Sequence, residues 1–354
     1  MSGDGETRGH GLLERLAAGP VICAEGYLFE LERRGYLQAG GFVPEVVLEN
    51  PEALAQVHRE FVRAGSDVVQ AFTYYAHREK LRLIGKEDLL EPMNHQAVKL
   101  ARSVADEFQG ERPLVAGDVC NTNIYHPDGQ TDRHVRAIFE EQVGWAAADN
   151  ADFVIGETFY HLGEARIALK AIKDAGLTAV VNLALPASGV LADGSTVEEA
   201  AAVLEQDGAD VVGMNCFRGP ETMLDHIRKI RARVSCHVAA LPVPYRTDAQ
   251  HPTFFTFTDE ASSVVPDGRP FPTALDPFQC NRYEMAQFAR DVQSLDVRFI
   301  GICCGNSPAH TREVAEALGR HPEASRYSAD MSKHFAFGSE PTLDRDTLAL
   351  AEKL

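Results

Sequence analysis

The chain is short of positive charge. It carries 34 Lys and Arg against 52 Asp and Glu, for a formal charge of −18. Such a surface repels phosphate backbones, so no nucleic-acid partner is expected. It also lacks any apolar run near the roughly 18 residues that a membrane span needs, so no membrane partner is expected either. The opening stretch MSGDGETRGHG has neither the basic start nor the apolar stretch of a signal peptide, and the expected compartment is the cytoplasm. No G-x-G-x-x-G or Walker A pattern is present, which tells against an open nucleotide-binding sheet. No low-complexity linker divides the chain.

What is present is ordinary globular composition, 45% hydrophobic over 354 residues, enough chain to bury a large core. The apolar residues fall into eight short runs: 20–26, 67–73, 113–119, 152–158, 178–185, 210–216, 236–243 and 297–304. Nearly continuous rather than alternating, they read as parallel strands covered on both faces. Helical periodicity fills the gaps. The stretch 51–65 opens on Pro51 and closes on Gly65, and Thr196 stands three residues before Glu199 as in a capping box. The stretches 164–176 and 309–319 read as helices too. Strands alternating with helices predict a single-domain (β/α)8 TIM barrel over 11–320, with a doubly wound sheet as the runner-up. A long irregular loop after strand 7 (244–281) is expected over the mouth of the barrel, and 321–354 reads as a short C-terminal extension.

In such barrels chemistry gathers at the C-terminal ends of the strands. Those ends carry Glu25, the Tyr74–Tyr75 pair, Asp118 and Cys120, Glu157, Asn182, Cys216, and the adjacent Cys303 and Cys304. Seven cysteines, an odd number in a reducing compartment, favour metal, catalysis or plain burial over a disulfide framework. Three thiolates with an open fourth position make a catalytic zinc site; a vicinal disulfide and inert burial are the alternatives. Neighbouring strand residues point to opposite faces, so Cys303 and Cys304 can share an ion only if the chain bends there. Gly305 and Pro308 follow at once. Cys23, Cys120, Cys236 and Cys280 read as structural, and His161 and His310 as capping or supporting groups. A hydrolase would call for a His-rich metal cluster, and none appears at the strand ends.

The motifs GMNC (213–216) and GICCG (301–305), with LLERLAAG, FELERRGYLQAG, HREFVRAGSDVVQAFTYYA, DFVIGETF and VRFIGICCGNSPAH, resemble the homocysteine S-methyltransferase family, most closely its betaine–homocysteine branch, over roughly residues 11–340. The resemblance implies a zinc-dependent enzyme moving a methyl group from a betaine-like quaternary ammonium donor to the thiol of homocysteine, giving methionine. It implies Cys216, Cys303 and Cys304 as zinc ligands and Glu157 as the carboxylate that holds the amino group of homocysteine. Phe42 and Tyr75 match pocket aromatics, and Gly26 sits in the acidic-residue–Gly turn after strand 1, with Glu25 or Ala24 in the acidic position. Asp118 stands where the family has glycine, Ala71 where it has threonine, and Thr158 where the betaine branch has tyrosine. Asp118 or Glu25 would add a counter-charge to an onium donor. These departures keep a sulfonium donor (S-methylmethionine or dimethylsulfoniopropionate) open, and a non-catalytic zinc- or onium-binding barrel is a further alternative. The resemblance also implies a homo-oligomer, but the C-terminal region is shorter than the dimerisation arm of the betaine branch.

Overall fold

A computed structural model describes residues 11–259 and 263–354. Most of the opening stretch, expected to carry no leader, and residues 260–262 of the long loop lie outside the described residues.

Eight parallel strands close into a ring in chain order. They are β1 (Val21–Ala24), β2 (Val68–Gln70), β3 (Leu114–Cys120), β4 (Phe153–Phe159), β5 (Ala179–Leu183), β6 (Val211–Asn215), β7 (His237–Leu241) and β8 (Phe299–Ile302). β1 pairs with β8 to shut the ring, in register from Val21 opposite Phe299 to Ala24 opposite Ile302. Every strand falls on a predicted run, and the fold is the predicted (β/α)8 barrel. Apart from His237, each strand residue is buried, because one face meets the barrel interior and the other the helices; this is why the runs do not alternate. β2 and β8 are shorter than their runs. The chain leaves the ladder after Gln70 and after Ile302, so the residues beyond both points form loops.

The predicted helices are present as Pro51–Arg63, Leu162–Asp174, Val197–Gln206 and Pro308–Ala317. Thr196 caps its helix as the spacing predicts: its hydroxyl accepts from the Glu199 N–H at 3.3 Å while its own N–H donates to Glu199 Oε2 at 3.1 Å. Such a cap contributes about 1 kcal/mol. His161 stands at the N-cap position of Leu162–Asp174, but its side chain makes no capping bond; its ring packs instead against Tyr125 and Tyr160.

Inward-facing residues follow the period of two along each strand. At the N-terminal end of the ring they are Val21, Cys23, Val68, Leu114, Ala116, Phe153, Ile155, Val180, Val211 and Phe299, joined by Leu12 and Leu16 from the helix Leu12–Ala18. That helix plugs the bottom of the barrel.

Among its described residues, the long loop after β7 holds three short 3-10 turns, Phe254–Thr256, Pro266–Gly268 and Asp276–Phe278. Phe254 packs on Tyr245, Phe271 and Phe29, with ring centroids 5.9, 5.0 and 6.3 Å away, and Gln279 donates to the Gly305 carbonyl at 3.2 Å. The loop therefore rests against the helix Tyr27–Arg33 that follows β1 and against the turn after β8. After the last barrel helix, Arg320 is bound to Asp67 at the foot of β2, and Arg63 pairs with Glu323 at 3.0 Å.

Candidate metal and substrate site

The sulfur atoms of Cys216, Cys303 and Cys304 lie within 4.8 Å of one another at the C-terminal end of the barrel. Cys303 and Cys304 are 4.0 Å apart, and all seven cysteines are free thiols. The alternation objection disappears because β8 ends at Ile302. Both cysteines belong to a turn in which the Asn306 N–H bonds back to the Cys303 carbonyl at 3.0 Å. Gly305 comes next at φ 94°, where an added Cβ would meet the Tyr245 hydroxyl at 2.4 Å. Cys216 turns out of β6 in the left-handed region as well, at φ 55°, a conformation that costs of order 1–3 kcal/mol in a non-glycine residue and collects at functional sites.

A tetrahedral zinc with bonds of about 2.3 Å to sulfur sets its sulfurs roughly 3.8 Å apart, so the observed spacing suits one ion. Contact with Cys303 and burial push the Cys216 thiol well up; a cation held among the three sulfurs would be needed to favour three thiolates so close together.

Beside the sulfurs, a narrow cavity is lined by Glu25, Gly26, Asp118, Glu157, Tyr74 and the three cysteines, among others. Gly26 sits at φ 93°, and a Cβ there would come 2.6 Å from the Cys303 carbonyl. Only glycine lets the turn after β1 approach the cysteine turn this closely. Asn306 fastens the two turns, donating to the Glu25 carbonyl at 3.2 Å. Glu25 lines the cavity, while Ala24 ends β1 and carries no carboxylate.

Glu157 is 3% exposed and well held. Gln70 donates to its Oε1 at 2.8 Å, the Thr158 hydroxyl to its Oε2 at 3.3 Å, and the Asn215 amide to the same oxygen. Asn215 also accepts from the Thr158 N–H at 2.9 Å, fixing Thr158 at φ 60°. The register between β4 and β5 shifts there, between Gly156 and Phe159, a bulge beside the site. Glu25 and Asp118 are equally buried, yet none of their four carboxylate oxygens has a hydrogen-bond partner among the described residues. Burial pushes all three carboxyls upward. The charge of Glu157 pushes Glu25 and Asp118 further, while hydrogen bonding from Gln70, Asp118, Thr158 and Asn215 draws Glu157 back. Glu157 is thus the carboxylate that most readily keeps its charge.

The site therefore gathers Glu25, Gly26, Asp118, Glu157, Cys216, Cys303 and Cys304 around one cavity. Phe42 and Tyr75 are not on its wall. Phe42 packs on Phe29 with centroids 6.1 Å apart, and Tyr75 carries Lys80 over its ring at 3.9 Å. The tyrosines on the wall are Tyr27 and Tyr74. Sequence reading missed Gln70 and Asn215, which orient Glu157. The available signal was parity: each is the last inward residue of its strand. Cys120, read as structural, is buried and accepts from the Tyr75 N–H at 3.4 Å; the His310 ring lies 3.0 Å from the Cys280 carbonyl.

Residues 23–318 match the family described as Homocysteine S-methyltransferase. Betaine--homocysteine S-methyltransferase 1 of Xenopus tropicalis is 37% identical over 339 residues, covering 93% of this chain and 80% of that protein. S-methylmethionine--homocysteine S-methyltransferase of Pongo abelii is 35% identical over 337 residues, covering 93% and 86%. Among solved structures, the metallated form of the homocysteine methyltransferase MmuM from Escherichia coli aligns with a TM-score of 0.68 over 85% of this chain and 98% of that one, at 19% identity. That likeness speaks to the fold.

Proposed function

The chain belongs to the homocysteine S-methyltransferase family, and from that premise we propose that it transfers a methyl group from a betaine-like quaternary ammonium donor to the thiol of homocysteine, giving methionine. The observation that carries this reading is the convergence of three cysteine sulfurs beside a buried, hydrogen-bonded Glu157 in one cavity. We take residues 11–320 as the catalytic barrel, with homocysteine and an onium donor as its small-molecule substrates.

Cys216, Cys303 and Cys304 would hold zinc. When bound, the ion supplies charge that favours the deprotonated form of the acceptor thiol. The protein's own residues do the rest. Glu157, kept charged by Gln70 and Asn215, binds the acceptor's ammonium and so sets its carbon chain against the sulfur cluster. The acceptor sulfur bonds to the methyl carbon as the carbon–nitrogen bond breaks, and the electron pair leaves with the now neutral amine. Opposite charges annihilate along this path, so the dry interior favours it. Phe72 and Tyr74 on the cavity wall offer aromatic faces to a quaternary ammonium, each worth about 0.5–2 kcal/mol.

A sulfonium donor is the second reading, favoured by the S-methylmethionine-using relative at 35% identity. Methionine formation across glycine betaine, S-methylmethionine and dimethylsulfoniopropionate, with zinc and a reductant present, decides between them. Absence of turnover with every donor rejects the function. Seven free thiols suit a reducing, cytoplasmic setting. No described helix is long and apolar enough to cross a membrane.

A further inference from the structure

Glu25 is 2% exposed and lines the same cavity as the three cysteines. Neither of its carboxylate oxygens has a hydrogen-bond partner among the described residues. A buried carboxylate left unmatched opposes folding unless a ligand completes it. Two groups of atoms that could hold a metal ion lie at this end of the barrel, and they overlap. One is the set of three sulfurs. The other is a Glu25 oxygen, a Glu157 oxygen and the Cys303 sulfur, again within 4.8 Å of one another. Cys303 belongs to both.

The overlap decides between the carboxylates. An ion held by the three sulfurs sits against Cys303, and zinc accepts carboxylate oxygen beside sulfur. Glu157 is already held, with Gln70, Thr158 and Asn215 on its two oxygens. Asp118 belongs to neither group among the described residues. Glu25 is fixed only at its backbone. Asn306 donates to its carbonyl at 3.2 Å, and Gly26 beside it packs on the Cys303 carbonyl. The contacts that join the turn after β1 to the cysteine turn thus bring a free carboxylate, on a flexible side chain, to the sulfur that both groups share.

Resting on the proposed zinc-dependent transfer, we infer that Glu25 is a fourth, exchangeable metal ligand. Its carboxylate completes the coordination of the ion while no acceptor is present and yields that place to the acceptor thiol. The thiol's sulfur takes the vacated position and its proton passes to the released carboxylate, so the exchange adds no charge to the buried site.

The test compares the full chain, wild type and Glu25→Gln, reduced with a phosphine so that no thiol is present. Each protein is loaded with cobalt(II), whose absorption reports the ligands around it, and zinc affinity is measured by competition with a chelator. Without a thiol, Glu25→Gln is expected to change the cobalt spectrum and to weaken zinc at least about tenfold. With saturating homocysteine the two proteins are expected to give the same spectrum, with stronger sulfur-to-cobalt absorption than the thiol-free wild type. That match also shows that the sulfur set of the variant is intact. Equal thiol-free spectra and equal zinc affinities overturn the inference, even where homocysteine binds the variant more weakly, because Glu25 then touches only the acceptor. A spectral difference that persists with homocysteine overturns the exchange. Methionine formation is assayed separately: wild-type protein that binds the metals but forms none with any of the three donors overturns the proposed function, a distinct result.

Discussion

The two ends of the barrel interior are built from the same eight strands and obey the same alternation, yet share almost no chemistry. At the N-terminal end Val21, Cys23, Val68, Leu114, Phe153 and Phe299 form a dry plug under the helix Leu12–Ala18. Phe153 and Phe299 meet edge to face across it, 6.3 Å between centroids. One or two inward positions further along, the strands carry Gln70, Asp118, Glu157, Asn182 and Asn215, all buried. The carboxyls of Glu25 and Asp118 and the Asn182 amide find no partner there among the described residues. The difference teaches that the lower end supplies stability and the upper end consumes some of it, since unsatisfied buried polar groups oppose folding.

Substitutions at the two ends should therefore separate cleanly. Cys216→Ala is expected to have the largest effect: bound zinc falls from stoichiometric to trace by atomic absorption, methyl transfer falls to background, and the unfolding midpoint of the metal-free protein barely moves. A variant that keeps its zinc would break the assignment of the upper end. Phe153→Ala should do the reverse, costing about 3–5 kcal/mol in denaturant unfolding while the folded fraction keeps its KM values. Glu157→Gln removes the charge at the upper end and is expected to raise the homocysteine KM about ten- to hundredfold, with little loss of stability, as seen by steady-state kinetics beside a thermal melt.

The last effect lies in neither end of the barrel interior but at two buried histidines, His58 on the helix Pro51–Arg63 and His77 before the helix Arg78–Ile84. Burial lowers His58 and His77 to about 3, against about 6.5 in an unfolded chain. Because the unfolded state binds the extra protons, stability is intact above pH 6.5 and declines as the pH falls toward 3. The slope is at most about 1.4 kcal/mol per pH unit for each histidine. His58→Gln should flatten that decline in unfolding measured from pH 7 to 4; an unchanged slope would remove His58 from the account.

The fold was legible because its signals are local and repeated. Apolar runs of strand length, a proline at a helix start and the Thr196–Glu199 box each reappear in place. The cysteine cluster was legible because it comes directly after strands 6 and 8. The bend that lets Cys303 and Cys304 cooperate was signalled only by Gly305 and Pro308. Phe42 and Tyr75 show the limit. Both lie on connections at positive φ, 54° and 61°, where packing from elsewhere in the chain, and not the residue's own preference, decides which way a ring points. Gln70 and Asn215 escaped notice because a single amide in an apolar run resembles a surface residue until its parity is traced.

The pairing of β1 with β8 has a consequence for biosynthesis. Glu25 and Gly26 are made early, the thiols at 303 and 304 late, and neither turn is in place until the last strand docks on the first. A chain released before the eighth strand would lack both the pairing that shuts the ring and two of the three clustered sulfurs. Of the three clustered sulfurs only that of Cys216 is made before the eighth strand, so the set is complete only once that strand has been added.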